Sequence, residues 1–372
     1  MEYKRLEDIL DYIQPTNYIV ESEKYDDSFK TPVLTAGKSF LLGYTDEING
    51  IFNADFENPI ILFDDFTTDY KWVDFAFKVK SSACKILIPK TNVNLKYVFY
   101  AMKYVNIDTK LHKRYWISIF SKQLIPYPDN EIQTKIVIEL DKIHNLIKNN
   151  EEELMKFDEI VKSQFIEIFG KINSFEKMRT VCNRITDFVA SGSFASLKEN
   201  VKYYDDPNYA ILVKTADFAN NFSKFLTYID EHAYNFLHNS NLYGGELILP
   251  NIGASIGKAF IVPKLGKKMS LAPNSIMVEP CQRYKTEYLY YYFLSEYGQE
   301  KLYGLTTATA MPKFNKTQLK DVEIISPSLE LQNKFADFVQ QIDKSKITVQ
   351  KQIDLLEELL EFKMNEYFGD RV

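Results

Sequence analysis

The 372-residue chain is poor in cysteine and contains no long apolar run. Its three cysteines, Cys84, Cys182 and Cys281, lie about a hundred residues apart, which excludes a disulfide framework and a paired-cysteine metal site. No segment approaches the ~18 consecutive apolar residues of a membrane span. The first five residues lack the apolar core of a secretion signal. We therefore expect a cytoplasmic protein.

The sequence also lacks a complete catalytic or cofactor-binding motif. The stretch from Gly253 to Ala259 is not a phosphate-binding loop, because its glycines are one residue too close and Ala259 replaces the Ser or Thr that would hold magnesium. The segment 206–209 lacks the second proline of an adenine-methyltransferase loop. His232 and His238 have no cysteine or carboxylate at ligand spacing. We therefore predict a non-catalytic chain with no metal site and no cofactor of its own.

Basic charge is scarce overall but is concentrated in parts of the chain. The net charge is -6, with 45 basic and 51 acidic side chains. Residues 1–69 carry a net charge of -10, residues 70–129 carry +8 and residues 251–326 carry +4. Because a charge acts within a Debye length of ~8–10 Å, an acidic protein can still bind phosphate through a basic face. On charge alone, a solvated basic surface without a partner is the favoured interpretation.

The chain contains an internal repeat at an offset of 199 residues. Pro128–Ile136 aligns with Pro327–Phe335, and the same offset places Glu167–Gly170 on Glu366–Gly369 without a gap. An unbroken register over some forty residues is hard to obtain by chance. The chain therefore consists of two halves, each with a large variable segment followed by a matching shorter one.

Each matching segment is predicted to form one long helix. Apolar residues recur in steps of three, four and seven, and neither segment contains Pro or Gly before its last glycine. Gly170 and Gly369 each follow a Phe, where a residue just past a helix end is expected. A helix of about 39 residues is a rod of ~58 Å. Because so long an apolar stripe needs a partner, we predict an intramolecular antiparallel coiled coil. Two unrelated helices on separate domains are the weaker alternative.

The variable segments are predicted to be compact domains of mixed α and β structure. Short strand patterns at 59–63, 75–79 and 85–89 precede a helix at 94–102. Similar patterns at 246–249, 259–262 and 275–278 precede a helix at 287–294. The predicted fold class is α+β (mixed α/β), with two pseudo-repeated globular domains and a pair of long helices. The predicted boundaries are 1–129 and 171–326 for the domains and 130–170 and 327–372 for the helices.

This order of segments resembles the specificity subunit of type I restriction–modification enzymes, in which two target-recognition domains alternate with two long helices. The stretches Gly37–Thr45 and Phe63–Thr68 are similar to one class of these domains. Those that resemble another class are Gly192–Phe194, Gly244–Leu249, Ile252–Lys258, Thr307–Asn315 and Leu319–Ile324. The Pro-x-x-Glu-x-Gln pattern ahead of each helix is also typical of the family. One departure is Glu246, where an Asp after Gly245 is usual.

The resemblance implies a DNA-recognition subunit rather than an enzyme. Each domain would read one half of a bipartite double-stranded DNA target, and the helices would set the unread spacer and dock two methyltransferase subunits, which flip the adenine. Restriction subunits can join such a complex. S-adenosylmethionine, ATP and magnesium would bind only to the partner subunits, and no membrane is implied. A stand-alone DNA-binding or anti-restriction protein and a coiled-coil scaffold that binds no DNA remain alternatives.

The candidate DNA contacts are basic and polar residues of the two domains. Lys and Arg on phosphates give affinity without sequence information, whereas polar loop side chains are candidates for base edges. For each lysine, an unpartnered surface charge is an equally good interpretation. The basic candidates are Lys38, Lys78, Lys80, Lys85, Lys110, Lys113, Arg114, Lys214, Lys258, Lys267, Lys268, Lys313 and Lys316. The polar candidates are Thr67, Thr68, Asn251, Thr307 and Thr309.

Overall fold

The computed structural model describes residues 2–35, 37, 39–105, 107, 113–306 and 311–369. The chain forms two compact units. Unit 1 consists of Met1–Glu151 and Lys351–Val372, and unit 2 consists of Glu152–Gln350. Each unit therefore combines one globular domain with about half of each long helix. No helix in the described part of the chain is long and apolar enough to cross a membrane.

Unit 1 begins with a short strand–helix–strand segment and continues into two sheet layers. Strands β2–β8–β5–β6 form an antiparallel sheet. In the sheet β4–β3–β7, strand β3 is antiparallel to β4 and parallel to β7, while β1 and β9 form an antiparallel ribbon. In chain order the elements are β1 (Tyr3–Arg5), α1 (Leu6–Ile9), β2 (Leu10–Ile13), β3 (Thr31–Leu34), β4 (Leu41–Thr45), β5 (Ile60–Asp64), β6 (Tyr70–Val73), β7 (Lys78–Val79), β8 (Cys84–Pro89), α2 (Leu95–Ala101), β9 (Leu124–Pro126) and α3 (Asn130–Phe169).

Unit 2 repeats this arrangement with additional short elements. Strands β11–β18–β15–β16 form an antiparallel sheet, β12 and β17 are parallel neighbours in the sheet β13–β12–β17–β14, and β10 pairs with β19. The elements are β10 (Phe175–Lys177), α4 (Met178–Val181), β11 (Cys182–Asp187), α5 (Phe194–Asn200), β12 (Ala210–Val213), α6 (Thr215–Ala219), β13 (Tyr228–Ile229), α7 (Glu231–Phe236), β14 (Asn241–Leu242), β15 (Leu247–Pro250), β16 (Phe260–Ile261), β17 (Met269–Leu271), β18 (Ser275–Pro280), α8 (Thr286–Leu294), α9 (Glu296–Gly304), α10 (Lys316–Lys320), β19 (Glu323–Ile325) and α11 (Leu329–Phe368).

The internal repeat extends beyond the long helices into the domains. Helix α3 and strand β9 recur as α11 and β19 at the offset of 199 residues, with identical bounds. Strand β8 and helix α2 recur as β18 and α8 at an offset of 191. The parallel pair β3–β7 has its counterpart in β12–β17. The two domains therefore share one frame and differ mainly in the length of the connecting segments.

Both long helices end where the sequence predicts. Helix α3 stops at Phe169 and α11 at Phe368, and the N–H of the following glycine donates to the carbonyl four residues earlier at 2.8 Å in both cases. A Cβ on Gly170 or Gly369 would lie 2.6 Å from that same carbonyl oxygen. A side chain at either position would force the helix end apart, so glycine is required there.

The two helices pair within each unit. In unit 2, Lys346 Nζ lies 2.5 Å from Asp158 Oδ1, and the Phe335 ring packs 5.4 Å from the rings of both Phe165 and Phe169. The contact position therefore falls along α11 as it rises along α3, so the segments run antiparallel. In unit 1, the start of α3 meets the end of α11, where Lys363 Nζ lies 3.1 Å from Glu139. The predicted antiparallel pairing is confirmed.

A buried glutamine fixes the start of each long helix. Gln133 Nε2 donates to the carbonyl of Pro128 at 2.8 Å, and Gln332 Nε2 donates to the carbonyl of Pro327 at 3.2 Å. Both side chains are almost fully buried. This bond explains the glutamine of the Pro-x-x-Glu-x-Gln pattern, since a buried carbonyl needs a donor.

Candidate nucleic-acid interface

The carboxyl ends of β3, β5 and β7 lie together at one edge of unit 1. A Cβ on Gly37, which follows β3, would lie 3.7 Å from the carboxylate of Asp64 at the end of β5. The N–H of Lys80, which follows β7, donates to the carbonyl of Leu34 at 3.0 Å. The loops after these strands therefore form one surface, which we call the unit 1 surface.

The turn between β5 and β6 is a rigid part of this surface. Asp64 Oδ1 accepts the N–H groups of Phe66 at 2.8 Å and Thr67 at 3.0 Å. Thr68 adopts a left-handed backbone conformation with φ of 63°. Thr67 is exposed and Thr68 is half-buried, so the turn presents the Thr67 side chain to solvent.

Arg114 is held beside this turn by a buried aspartate. The main chain of Asp65 accepts the N–H of Tyr115 at 2.8 Å, and its carboxylate accepts the N–H of Trp116 at 2.8 Å. Arg114 Nη1 lies 3.8 Å from the same carboxylate, and its guanidinium carbon lies 5.8 Å from the centre of the Phe66 ring. Because Asp65 is only 1% exposed, the arginine is the part of this cluster that reaches solvent.

Two of the predicted cationic contacts are instead structural. Lys78 and Lys85 are each only 3% exposed. Lys78 Nζ lies 2.7 Å from Glu47, and Lys85 Nζ lies 3.5 Å from Asp65. Burial raises the pKa of Glu47, but hydrogen bonds from Lys78 and from backbone N–H groups outweigh it and hold that pKa below its usual value. The expectation that these two lysines lie on an exposed basic face is wrong, because a lysine buried in a domain is retained by a paired carboxylate.

Unit 2 has a matching surface at the carboxyl ends of β12, β15 and β17. The N–H of Ala272, which follows β17, donates to the carbonyl of Val213 in β12 at 3.0 Å. The N–H of Asn251, which follows β15, donates to the carbonyl of Asn274 at 3.2 Å. Lys214 follows β12 directly. These residues define the unit 2 surface.

Lys313 is placed on the unit 2 surface by the same frame that places Arg114 on the unit 1 surface. The N–H of Phe314 donates to the carbonyl of Asn251 at 3.1 Å, and Asn251 Nδ2 donates to the carbonyl of Phe314 at 2.7 Å. The pair Lys313–Phe314 lies 199 residues after Arg114–Tyr115. Asn251 thus takes the place of Asp65, and each unit presents a cation next to a buried aromatic residue.

Two grooves flank the turn between β17 and β18. One has a volume of about 460 Å³ and is lined by Lys313 and by Phe194, whose side chain is 81% exposed. The other has a volume of about 590 Å³ and is lined by Lys214. Both grooves are bordered by residues 273–275, so this turn forms a ridge between them.

The remaining predicted contacts are dispersed. Lys267 and Lys268 are exposed at the start of β17, the opposite end of the sheet from Lys214, and Lys268 Nζ lies 4.0 Å from the centre of the Tyr209 ring. Lys258 is exposed after the short 3-10 turn Gly253–Ser255.

Other candidate side chains contact carboxylates or an aromatic ring, or belong to residues that the structure does not describe. Lys80 Nζ lies 2.6 Å from Glu23, and Lys316 Nζ lies 2.8 Å from Asp187. Lys113 Nζ lies 5.3 Å from the centre of the Tyr115 ring. Lys38, Lys110, Thr307 and Thr309 lie outside the described residues.

Sequence reasoning missed two residues of the unit 2 surface. Asn274 lies on the ridge in a left-handed conformation with φ of 68°, and Phe194 forms the wall of one groove. The Pro273-Asn274 pair is a turn signal directly ahead of a predicted strand, and it could have identified the ridge. Phe194 had no such signal apart from its position in a family-like stretch. Across the part of the chain that the structure describes, no group of three or more His, Cys, Asp or Glu is placed to hold a metal ion.

Comparison with protein-family models matches the segment that carries the unit 2 surface. Residues 183–359 match the model of the type I restriction modification DNA specificity domain. The matched segment holds the unit 2 surface and is similar to that family of domains. The resemblance of the chain to the specificity subunit of type I restriction–modification enzymes is thereby confirmed.

Individual relatives extend the similarity to named proteins. The Escherichia coli type I restriction enzyme EcoR124I/EcoR124II specificity subunit is 46% identical over 153 residues. The match spans 38% of this chain and also 38% of that subunit, so it covers about two fifths of the relative.

Two solved structures share the fold over the whole chain. The S subunit of a type I restriction-modification system from M. genitalium gives a TM-score of 0.54 at 14% identity, with 100% of this chain and 96% of that chain covered. A chain from a study of complex assembly and conformational transition of the type I R-M system gives 0.58 at 13% identity, with 100% and 98% covered. At such low identity, these similarities establish the fold, and the predicted fold class is confirmed.

Proposed function

We propose that this chain selects the DNA sequence for a type I restriction–modification complex, with each unit reading one half of a bipartite target. One observation carries the proposal: the two units present equivalent surfaces, with Arg114 and Lys313 at the repeat offset and polar side chains beside them. Cations bind phosphates and fix the register, while polar groups such as Thr67 and Asn274 discriminate between base edges. A DNA duplex offers both kinds of group in regular array.

The long helices support the second part of the proposal. Each has 40 residues, a length of about 60 Å, so the pair is suited to set the unread spacer. Both helices also expose large apolar side chains, a property of surfaces that bind other proteins. We propose that two methyltransferase subunits dock there and bind S-adenosylmethionine, and that ATP and magnesium belong to restriction subunits in the same cytoplasmic complex. The exposed apolar residues are Leu146, Met155, Ile160, Leu355, Leu359 and Phe362.

Selection from a random-sequence duplex library tests the reading of DNA. The full chain, alone and in the complex purified with it, should enrich two short blocks of defined bases separated by a fixed unread spacer. Exchanging residues 2–127 for another recognition domain should change one block only. A single contiguous block would contradict the proposal that each unit reads one half of the target. No enrichment at all would favour a scaffold that binds no DNA.

A paired deletion tests the helices as the spacer element. Removing seven residues from both α3 and α11 keeps the heptad phase and shortens the pair by about 10 Å, the rise of about three base pairs. We expect a shorter spacer or lost binding, with the bases of both blocks unchanged wherever binding survives. The measurement is the position of methylated adenines in the genome of a host that carries the variant. An identical spacer would contradict the proposal.

A further inference from the structure

We propose that the ridge at the turn between β17 and β18, residues 273–275, enters the major groove of DNA, where Asn274 reads a base edge with preference for adenine. This inference rests on the proposed DNA-reading function. It assigns that function, within unit 2, to a residue that the sequence did not single out.

The shape of the unit 2 surface carries the first step. The ridge formed by residues 273–275 stands between grooves of about 460 and 590 Å³. The ridge is anchored at its base, because the carbonyl of Asn274 accepts the N–H of Asn251 at 3.2 Å and the N–H of Ala272 donates to Val213 at 3.0 Å. A fixed ridge can enter a concave surface without an ordering cost.

The distribution of charge carries the second step. Lys313 lines one groove and Lys214 lines the other, so a cation lies on each side of the ridge. The DNA major groove is about 12 Å wide and is bordered on both sides by phosphates. Lysines on both flanks therefore match a ridge that lies in this groove better than they match a ridge that lies on a single strand.

The chemistry of Asn274 carries the third step. It is exposed on the ridge, and its φ of 68° is a conformation that Asn and Gly tolerate better than other residues. The Nδ2 of an asparagine amide can donate to N7 of adenine while its Oδ1 accepts from the N6 amine, so this side chain matches the major-groove edge of adenine. One residue thus satisfies both the turn and the readout.

The test replaces the amide without disturbing the turn. In Asn274→Gly the backbone keeps its left-handed conformation and only the reading group is removed. Asn92→Gly is the matched control, because Asn92 is also exposed with φ of 61° but follows the end of β8, away from the unit 1 surface. Each full-length variant is used to select from the random duplex library, alone and in the complex purified with it.

We expect Asn274→Gly to relax one position of one block by about 5- to 150-fold, the range for a good bidentate contact, with adenine as the base preferred by the wild type. Asn92→Gly should enrich the wild-type sequence. An unchanged preference in Asn274→Gly would overturn the inference, as would changes in both blocks or loss of all DNA binding. If the wild-type chain enriches no sequence, the proposed function itself fails, so the two failures are distinguishable.

The flanking cations give a second, independent readout. Lys214→Gln and Lys313→Gln should each weaken binding to target and random duplexes equally and lower the slope of log affinity against log salt by about 1. Lys267→Gln and Lys268→Gln, at the other end of the sheet, are the controls and should leave the slope unchanged. If the slope of log affinity against log salt is the same in all four variants, the ridge does not lie in the DNA groove.

Discussion

The two units use different chemistry at the same structural position. In unit 1 the residue after the central strand β5 is Asp65, which is buried in an ion pair with Lys85. In unit 2 the residue after β15 is Asn251, a neutral amide bonded to the carbonyl of Phe314. Both residues hold the segment that carries a surface cation, Arg114 or Lys313. The repeat therefore conserves the backbone contact, while the polar side chains that support it are free to differ.

The difference shows how a recognition surface can change without loss of the frame. Backbone hydrogen bonds from Tyr115 to Asp65 and from Phe314 to Asn251 are independent of side-chain identity. The side chains then decide how sensitive each unit is to substitution, because a buried charge that loses its partner costs more free energy than a neutral amide that loses a hydrogen bond. We expect unit 1 to be the more sensitive at this position.

The largest effect is expected for Asp65→Asn, which gives unit 1 the amide found in unit 2. The change leaves the ammonium of Lys85 buried without its carboxylate, and it should lower the free energy of unfolding of unit 1 by about 3–5 kcal/mol. Both tryptophans of the chain, Trp72 and Trp116, lie in unit 1, so tryptophan fluorescence during urea unfolding reports on this unit alone.

A second substitution distinguishes the buried charge from general disruption. Adding Lys85→Met to Asp65→Asn should restore most of the lost stability, because the uncompensated charge is removed. If the double variant is as unstable as Asp65→Asn, or if Asp65→Asn is neutral, the ion pair does not account for the difference between the units.

A smaller effect is expected at the glutamines that begin the long helices. Gln332 Oε1 accepts the N–H of Lys285 at 2.8 Å, and its amide donates to the carbonyls of Arg283 and Pro327. Gln133 donates to Pro128, but its Oε1 has no hydrogen-bond partner among the described residues. Gln332→Leu should therefore destabilise unit 2 by about 2–3 kcal/mol, and Gln133→Leu should destabilise unit 1 by about 1 kcal/mol.

Amide hydrogen exchange read separately in the two units measures both glutamine variants. The comparison is internally controlled, because the two substitutions are chemically identical and occupy equivalent positions of the repeat. Equal losses of protection in the two units would show that the extra bonds of Gln332 contribute nothing to stability.

Much of the fold could be predicted from the sequence because its strongest signals are periodic. The bounds of α3 and α11 follow from the heptad pattern and from glycines that no other residue can replace. Strands β5, β8, β15 and β18 are buried and were marked by apolar runs. Strand β4 was not predicted, because Leu41 and Leu42 are exposed and Gly43 interrupts the pattern.

The candidate interface was predicted less well because its signals are not local. Lys78 and Lys85 look like surface residues until their carboxylates are known, and Glu47 and Asp65 lie 31 and 20 residues away in the sequence. Lys267 and Lys268 precede β17, whereas Lys214 follows its parallel neighbour β12, so the lysines lie at opposite ends of the sheet. Strand pairing decides which loops meet, and charge along the chain does not contain that information.

The smallest effect is expected when the pH is lowered, which removes the contribution of Glu176 to the stability of unit 2. Bonds from Arg283 and Ser326 lower the pKa of Glu176 to about 2, against the smaller opposing effect of its burial. The equivalent position of β1 in unit 1 is Lys4, whose ammonium lies 4.3 Å from the centre of the Tyr127 ring, so unit 1 has no such carboxylate there. Between pH 4.5 and 2 the unfolded chain binds a proton at Glu176 and the folded chain does not. The stability due to Glu176 is therefore present above pH 4.5 and is lost as the pH falls towards 2. Because Arg283 is largely exposed, solvent screening limits the effect to about 1 kcal/mol or less.

Other carboxylates, such as Glu47, also make the wild type acid-sensitive. The quantity to measure is therefore the difference in thermal stability between the wild type and Glu176→Gln from pH 6 to pH 3. The wild type should be the more stable at pH 6, and the difference should shrink at pH 3. A constant difference would show that folding leaves the pKa of Glu176 unchanged.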